Sequence, residues 1–284
     1  AKAVGKKTSA FSKILADIEP SDNHEKFAER MKTADNCSVI LGAIASAHPD
    51  AAVLRSLAGY IADATGSRLG FLNEGANAAG ACLAGALPHR GPGGAKATIE
   101  GLSVSALMDE CPKAWLSLGV EPELDCYDSA GALNAVNSAE FCVSLTSYDS
   151  SNLRDYANVI LPIAPFAENE GTLVNHEGRW QSFEAAVPAQ GEARPAWKVL
   201  RVIANGLDAP GFDYVQVDEI RDAVKATVSK DLSTAAVEWK KLDELPAAGG
   251  GLERIGDVPI YAIDATVRRA SSLQATSHGA DAAI

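Results

Sequence analysis

Five short apolar runs, each followed by glycine or by polar residues, constrain the fold of this chain more than any other feature of its sequence. Continuous apolar runs of this kind are typical of parallel strands whose sheet is covered on both faces. The segments between them carry apolar residues at helical spacing, as in strand–helix–strand units. We therefore predict an α/β fold: a doubly wound, mostly parallel sheet flanked by helices. The predicted strands cover residues 38–41, 69–72, 113–118, 141–145 and 159–161.

The helices are indicated by apolar periodicity and by residues that favour helix ends. Pro49 and Asp50 suit a first turn, and Gly66 suits the position after a last turn. The end of the chain differs: residues 259–263 have the composition of a strand, and we expect the polar residues 265–284 to be poorly ordered. The predicted helices cover residues 10–18, 25–31, 49–65, 103–110, 129–138, 154–157, 195–205 and 217–228.

The domain organisation follows from where these patterns start and stop. Residues 1–35 are polar and contain no predicted strand, so we expect a helical lead-in there. Residues 36–245 hold the strand–helix alternation and form the predicted α/β domain. Small residues near position 250 are typical of a linker, and we assign residues 246–284 to a linker and C-terminal tail.

Charge and hydropathy argue against several classes of partner. The chain has 37 acidic against 25 basic residues, a formal net charge of -12, which argues against nucleic acid or an anionic membrane surface. No apolar run reaches the roughly 18 to 20 residues that a membrane helix needs, and the first residues hold no apolar signal core. We expect a cytoplasmic protein without direct membrane insertion.

The five cysteines give no sign of a metal site. They are dispersed, and none forms a CxxC pair, so zinc and iron–sulfur motifs are not indicated. An odd number of scattered cysteines is typical of reduced, buried thiols in a reducing compartment. The residues are Cys37, Cys82, Cys111, Cys126 and Cys142.

The stretch from 158 to 183 concentrates more polar chemistry than any other part of the chain. A buried strand is stopped by Pro162 and Pro165, and a polar segment with two glycines follows. Such a segment at the end of a strand is a common place for a binding site. We treat Gly171, Thr172, Asn175, Glu177 and Arg179 as candidate ligand-binding residues.

Alternative interpretations exist for each of these side chains. Arg179 could pair with a phosphate or carboxylate ligand, but an ion pair with Glu168, Glu170 or Glu177 is the simpler expectation. Asn175 and Glu177 could instead cap the loop. His176 could act as a general acid or base, yet the sequence places no nucleophile or carboxylate pair beside it, so a surface role is favoured. We identify no catalytic residues.

Ligands of open parallel sheets bind beyond the carboxyl ends of the strands, and polar or glycine-bearing segments follow every predicted strand. Three residues in these segments complete the candidate set: Asn77, Gly119 and Glu121. Glu121 could accept hydrogen bonds from the donor edge of a purine-like base, and the Gly119 backbone could approach a ligand closely. The pattern predicts a crevice of the nucleotide-binding type.

Several motifs combine into a specific pattern. They are residues 156–162, Glu168, residues 171–181, the Gly-Val-Glu-Pro segment 119–122, and the small-residue segment 74–88. Together they resemble the molybdopterin oxidoreductase superfamily. Residues 191–201 and 259–270 are similar to the large iron–sulfur subunits of bacterial NADH-quinone oxidoreductase (complex I) within it. The resemblance extends roughly from residue 37 to residue 274.

The resemblance implies a part of a longer subunit whose iron–sulfur clusters lie outside this segment. In relatives with a molybdenum cofactor, residues 73–77 and 119–122 would face the guanosine ends of the pterin, and residues 171–179 would lie near it. In the complex I subunits that pocket is thought to be empty and the domain structural. The implied role is a scaffold with no cofactor of its own, in contact with other subunits of the peripheral arm and peripheral to the inner membrane.

Two other functions stay open. The chain could be a catalytic segment of a molybdopterin-dependent enzyme such as a formate dehydrogenase, or a nucleotide-binding module that acts alone. No metal-ligating cysteine or serine of the active enzymes stands at a recognisable position here, which favours the scaffold.

Overall fold

The computed structural model describes residues 1–5, 11, 13–72, 74–150, 152–228 and 259–279. The described residues fall into two compact units, the first within residues 1–75 and the second formed by residues 76–228 with residues 259–279. The predicted domain boundaries at 36 and 245 stay a prediction.

The first unit contains one strand–helix–strand repeat. A short 3-10 helix covers Lys2–Val4, and residues 11 and 13–17 form turns where we had predicted a helix over 10–18. The strands β1 and β2 are parallel, with Ser38 opposite Arg68. Gly66 takes a positive φ of 69° and ends α3, as the sequence indicates. The elements are α1 (Asp22–Thr33), β1 (Ser38–Leu41), α2 (Ala43–Ala47), α3 (Ala51–Thr65) and β2 (Arg68–Phe71).

The second unit is built on a three-stranded parallel sheet with the order β3-β4-β5. Its elements up to the sheet's last strand are α4 (Ala78–Ala84), α5 (Val104–Glu110), β3 (Ala114–Leu118), α6 (Pro122–Asp125), α7 (Ser129–Asn137), β4 (Phe141–Thr146), α8 (Leu153–Tyr156) and β5 (Val159–Pro162). They are followed by β6 (Gly171–Val174), β7 (Trp180–Phe183), α9 (Ala196–Gly206) and α10 (Val217–Thr227), while Pro92–Gly94 and Phe166–Glu168 form 3-10 turns.

The α/β class, with parallel strands flanked by helices, is confirmed. All five predicted strands exist within one or two residues of their expected limits. They belong to two separate sheets: β1 and β2 form one, and β3, β4 and β5 form the other. An apolar run predicts that a segment is a strand. Which other strand it pairs with depends on contacts between residues that are distant in the sequence.

Residues 171–183 form an antiparallel hairpin where we had expected a polar loop. Thr172 pairs with Ser182 across the hairpin, and Gly178 takes a positive φ of 77° in the turn. Two runs of β-branched and aromatic residues around an Asn- and Gly-containing turn explain the hairpin.

The prediction for the C-terminal segment was wrong in the part of the chain that the structure describes. Residues 259–279, called the C-terminal clip below, fold into a 3-10 turn at Ile260–Ala262 and two short helices, α11 (Ala265–Arg268) and α12 (Ser271–Gln274). Asp264 accepts hydrogen bonds from the amides of Thr266 and Val267 at 2.8 and 3.0 Å and so caps α11. Gln274 Nε2 donates to the Val267 carbonyl at 2.8 Å.

The cysteines are unpaired, but the prediction of buried thiols holds for only some of them. Cys142 is buried in the second unit, where burial raises the pKa of its thiol. Cys82 and Cys111 are exposed. Cys82 lies in the short helix α4, and Cys111 directly follows the short helix α5. Composition alone does not show which side of a helix faces solvent, so it could not predict that these two thiols are exposed. Of the helices described, none has the length and apolar character needed to cross a membrane.

The two faces of the three-stranded sheet differ in how they are covered. On one face, Cys142 packs with Val136, Leu153 and Tyr156 from the neighbouring helices, and Trp115 joins them. On the other face, register brings together residues of which most are exposed; we call this set the apolar sheet face. It consists of Ala114, Leu116, Leu118, Phe141, Val143, Leu145, Val159 and Leu161, of which Leu145 is fully buried.

Leu145, in the central strand β4 opposite Leu118, is fully buried, whereas Leu116 in β3 is 52% exposed. We expect Leu145→Ala to lower the free energy of unfolding by roughly 3 kcal/mol, because it removes packed methyl groups and leaves a cavity. Leu116→Ala is the matched control and should cost less than about 1 kcal/mol. Urea unfolding followed by circular dichroism measures both, and equal losses would contradict this description of the sheet.

Candidate functional site

The ends of the three parallel strands converge on one cavity, the strand-end crevice. Gly119 follows β3, Thr146 and Ser147 end β4, and Pro165 follows β5. The crevice has a volume of about 500 Å³. Its other lining residues are residues 264–267 of the C-terminal clip together with Glu121, Tyr148, Ala164 and Phe166. The residues that follow β3, β4 and β5 therefore line one crevice. The C-terminal clip also lines it, which the sequence did not predict.

Glu121 lies at the base of α6 and is the buried acid of this region, with 6% of its surface exposed. Arg269 binds its carboxylate with both guanidinium branches, Nη2 to Oε1 at 2.5 Å and Nη1 to Oε2 at 3.1 Å. Arg268 Nη2 donates to the same Oε2 at 2.8 Å. A forked, charge-assisted pair of this type is among the strongest hydrogen-bonding arrangements in proteins.

A second acid and an aromatic ring complete the cluster. Asp125 accepts from Arg268 Nη1 at 2.9 Å and from the Glu121 amide at 2.7 Å, so two acids balance two arginines. The Arg269 guanidinium lies 4.7 Å from the centre of the Tyr148 ring. Tyr148 in turn donates from its hydroxyl to Thr266 Oγ1 at 3.0 Å. The C-terminal clip is thus attached to the crevice by charge, by stacking and by a neutral hydrogen bond.

The arginines change the titration of Glu121. Hydrogen bonding from Arg269 lowers the pKa of this carboxyl below its ordinary value, burial acts in the opposite direction, and Arg268 lowers the pKa further. Glu121 is therefore ionised at neutral pH although it is buried.

Gly119 takes a positive φ of 62°, which explains why glycine suits the turn after β3. Its amide donates to the Leu145 carbonyl at 2.8 Å and continues the ladder between β3 and β4. This amide therefore already has a partner within the sheet.

Asn77 lies at the start of α4, away from the strand-end crevice, and contacts the hairpin. Its side-chain oxygen accepts from the Val174 amide at 2.8 Å. A side chain at Gly80 would overlap this amide group, since an added Cβ would lie 2.0 Å from Asn77 Oδ1. Asn77 and Gly80 together join α4 to β6.

The remaining candidates belong to the hairpin and interact with one another. The Thr172 and Ser182 hydroxyls are 2.9 Å apart across the strands, and a Cβ on Gly171 would lie 3.1 Å from the Phe183 ring. Asn175 Oδ1 accepts from the amides of Glu177 and Arg179 at 3.0 and 2.9 Å. Asn175 therefore caps the turn, as its alternative interpretation proposed.

Arg179 has the ion pair that we favoured. Its Nη2 lies 4.0 Å from Glu177 Oε2, and both side chains are more than two-thirds exposed. Such a pair contributes little free energy. Glu168 Oε2 accepts a hydrogen bond from the Gln190 amide at 3.0 Å. The His176 side chain is exposed.

The structure therefore divides the candidate residues between two places. Gly119 and Glu121 lie at the strand-end crevice, whereas the other six belong to the hairpin and its contact with α4. Within the described residues, no group of three or more acidic, histidine or cysteine side chains is arranged to hold a metal ion.

Tyr148, Arg268 and Arg269 were not among the residues predicted from the sequence. The two arginines were missed because residues 265–284 were expected to be poorly ordered. One signal could have identified the arginines. Glu121 follows a predicted strand and directly precedes a helix-starting proline, and adjacent arginines follow a helix-capping aspartate at 264. An acid that is buried at such a position needs a charged partner.

The comparisons with known proteins match this architecture. A profile of the molybdopterin oxidoreductase family matches residues 14–206. An NADH-quinone oxidoreductase subunit of Mycobacterium bovis is 34% identical over 156 residues, which covers 46% of this chain and 19% of the relative.

Two further relatives show the breadth of the similarity. The corresponding NADH-quinone oxidoreductase subunit of Streptomyces coelicolor is 36% identical over 172 residues, or 51% of this chain and 20% of the relative. The F420-dependent formate dehydrogenase subunit alpha of Methanocaldococcus jannaschii is 29% identical over 195 residues, or 59% of this chain and 29% of the relative. The chain thus spans between a fifth and a third of the length of these relatives.

Replacing Glu121 should release the C-terminal clip. Glu121→Gln leaves the Arg269 guanidinium without a charged partner and leaves Arg268 paired with Asp125 alone, so the clip should detach locally while the sheet stays folded. Trypsin cleaves after arginine, and we expect cleavage after Arg268 and Arg269 to accelerate at least tenfold. Glu177→Gln, which alters only the exposed pair with Arg179, should leave this rate unchanged. Equal rates in wild type and Glu121→Gln would contradict the attachment.

Acid should release the C-terminal clip by the same route. Because the pKa of Glu121 is lowered in the folded state, its contribution is fully present above its ordinary pKa of 4.5 and is lost as the pH falls through the folded value. Amide hydrogen exchange of residues 264–269, corrected for its intrinsic pH dependence, should show protection that persists at pH 6 and disappears well below pH 4.5. Protection independent of pH would exclude Glu121 as the anchor.

Proposed function

Because the chain belongs to the molybdopterin oxidoreductase family, we propose that it is a scaffold segment of the large iron–sulfur subunit of an NADH-quinone oxidoreductase. The NADH-quinone oxidoreductase relatives from Mycobacterium bovis and Streptomyces coelicolor, each with more than 30% identity, support this assignment. In this proposal, electrons pass from NADH towards quinone through iron–sulfur clusters in other parts of the subunit. The segment contributes folded surface to the peripheral arm of the complex, which is cytoplasmic and attached to the inner membrane.

The observation that carries the scaffold role is the apolar sheet face. Leu116, Leu118 and Phe141 are 52%, 44% and 47% exposed, although parallel sheets are normally covered on both faces. Burying apolar surface contributes about 25 cal/mol per Å². Several large apolar side chains exposed on one sheet face, around the fully buried Leu145, are typical of a surface that another protein segment covers. Contacts with the rest of the subunit or with its neighbours would cover it.

The chemistry of the strand-end crevice also supports a structural role. The family's name implies a molybdopterin group, so the test is whether the residues here could hold its nucleotide end. Both oxygens of Glu121 are bound by guanidinium groups, and Arg269 lies against the Tyr148 ring. The residues in this arrangement do not fit such a ligand, because the carboxylate that would accept its donor edge already has donors.

A catalytic segment of a formate dehydrogenase is the second candidate. The formate dehydrogenase relative covers more of this chain, 59%, than the two NADH-quinone oxidoreductase relatives do, at lower identity. Metal analysis of the purified intact protein separates the two candidates. Stoichiometric molybdenum or tungsten would refute the scaffold proposal, and iron without either metal would favour it.

We expect a charge on the apolar sheet face to block assembly. Leu116→Glu in the intact subunit should lower the amount of assembled complex on native gels at least fivefold, because an ionised side chain cannot be buried in an apolar contact. NADH-driven quinone reduction in membranes should fall in proportion.

The control changes charge at a nearby position that is fully solvated. Lys113→Glu, just before β3, alters a side chain that is 86% exposed and should leave assembly unchanged. Circular dichroism of the isolated chain should be the same for both variants, since neither residue is buried. Normal assembly and quinone reduction by Leu116→Glu would overturn the scaffold proposal.

A further inference from the structure

The C-terminal clip places a ligand-like group, the Arg269 guanidinium, against Glu121 and Tyr148, two residues that line the strand-end crevice. Arg269 offers two parallel N–H groups to the Glu121 carboxylate, and its flat guanidinium lies 4.7 Å from the centre of the Tyr148 ring. A guanine base binds a carboxylate in the same manner, through two adjacent N–H donors on its edge, and stacks on an aromatic ring through its face. Arg269 therefore satisfies both parts of such a subsite at once.

The rest of the C-terminal clip is shaped to keep Arg269 there. Asp264 caps α11, and Gln274 donates to the carbonyls of Tyr261 and Val267, both at 2.8 Å, which closes the clip on itself. Arg269 also donates to the Ala265 carbonyl at 3.0 Å. Its guanidinium is thus positioned before it meets Glu121, which lowers the entropic cost of the contact.

Arg268 supplies a second attachment that does not use the stacking position. It joins Glu121 to Asp125 and donates to the Ala262 carbonyl at 2.9 Å. With only 12% of its side chain exposed, it is the more buried of the two arginines. The two neighbouring residues thus have separate tasks: Arg268 anchors the clip, and Arg269 fills the position of a planar ligand.

We propose that the C-terminal clip is a built-in occupant of the strand-end crevice, in which Arg269 takes the place of a guanine-type base and excludes it. Removing Arg269 vacates the Tyr148 ring face and Glu121 Oε1, while Arg268 keeps the clip attached. The crevice then accepts a planar ligand with two adjacent donors and rejects one without them. This inference concerns the crevice alone and holds whether or not the apolar sheet face serves in assembly.

The test uses guanosine monophosphate as the probe and the full chain as the protein. Isothermal titration calorimetry should show no saturable binding to wild type at millimolar nucleotide, and Arg269→Ala should bind at least tenfold more tightly. Adenosine monophosphate presents no adjacent pair of donors on its edge and should not bind either protein. Adding Glu121→Gln to Arg269→Ala should abolish the gain, because a neutral amide cannot accept both donors.

Two controls keep the result interpretable. Arg179→Ala removes an exposed arginine outside the crevice and should behave as wild type. If Arg269→Ala does not fold by circular dichroism, Arg269→Lys retains the charge but not the fork and should show weaker, still guanine-selective binding.

Three results would overturn the proposal. The first is equal binding of the guanine nucleotide by wild type and by the folded Arg269 variant. The second is equal binding of both nucleotides by that variant. The third is saturable binding to wild type without faster tryptic cleavage after Arg268, which would show that the ligand and the clip do not compete. Normal assembly of Leu116→Glu would leave all three results unaffected, so this proposal and the scaffold proposal fail separately.

Discussion

The ion pairing of the buried Glu121 carboxylate is the interaction on which the position of the C-terminal clip in the second unit depends. The carboxylate lies where the turn after β3 enters α6, and it is ionised because Arg268 and Arg269 surround it. An ionised carboxylate cannot be buried without such partners. Glu121 precedes Arg268 by 147 positions in the chain and Arg269 by 148. The pairing therefore holds the C-terminal clip against the strand ends. It also determines which ligands the crevice can accept.

The same pairing determines which groups of the crevice make contacts within the chain. The chain belongs to the molybdopterin oxidoreductase family, and its glycine after β3 stands where close backbone approach is possible. In this chain the Gly119 amide completes the sheet ladder, and Glu121 holds arginines. Both groups therefore have partners within the chain. The exposed side chains of the apolar sheet face, in contrast, are available for contacts with other protein segments.

Local patterns were sufficient to predict much of the fold. The five parallel strands and most helices were located from apolar runs and from capping residues such as Gly66, because these features act over a few neighbouring residues. The hairpin was missed because its polar residues, Asn175 among them, looked like site residues. Its strands are only four residues long and are defined by pairing across a turn, which composition shows weakly.

The sequence by itself determined the α/β class, the positions of the strands, the acidic charge balance, and the roles of some short-range groups, such as Gly66 at the end of α3. Only the tertiary structure decided which strands pair, which sheet face is left exposed, and that the candidate residues divide between a crevice and a hairpin. The tertiary structure also decided that Arg269 binds the Glu121 carboxylate and lies over the Tyr148 ring. The physical reason is range: periodicity and caps are local properties, whereas register, burial and ion pairing depend on residues brought together from distant parts of the chain.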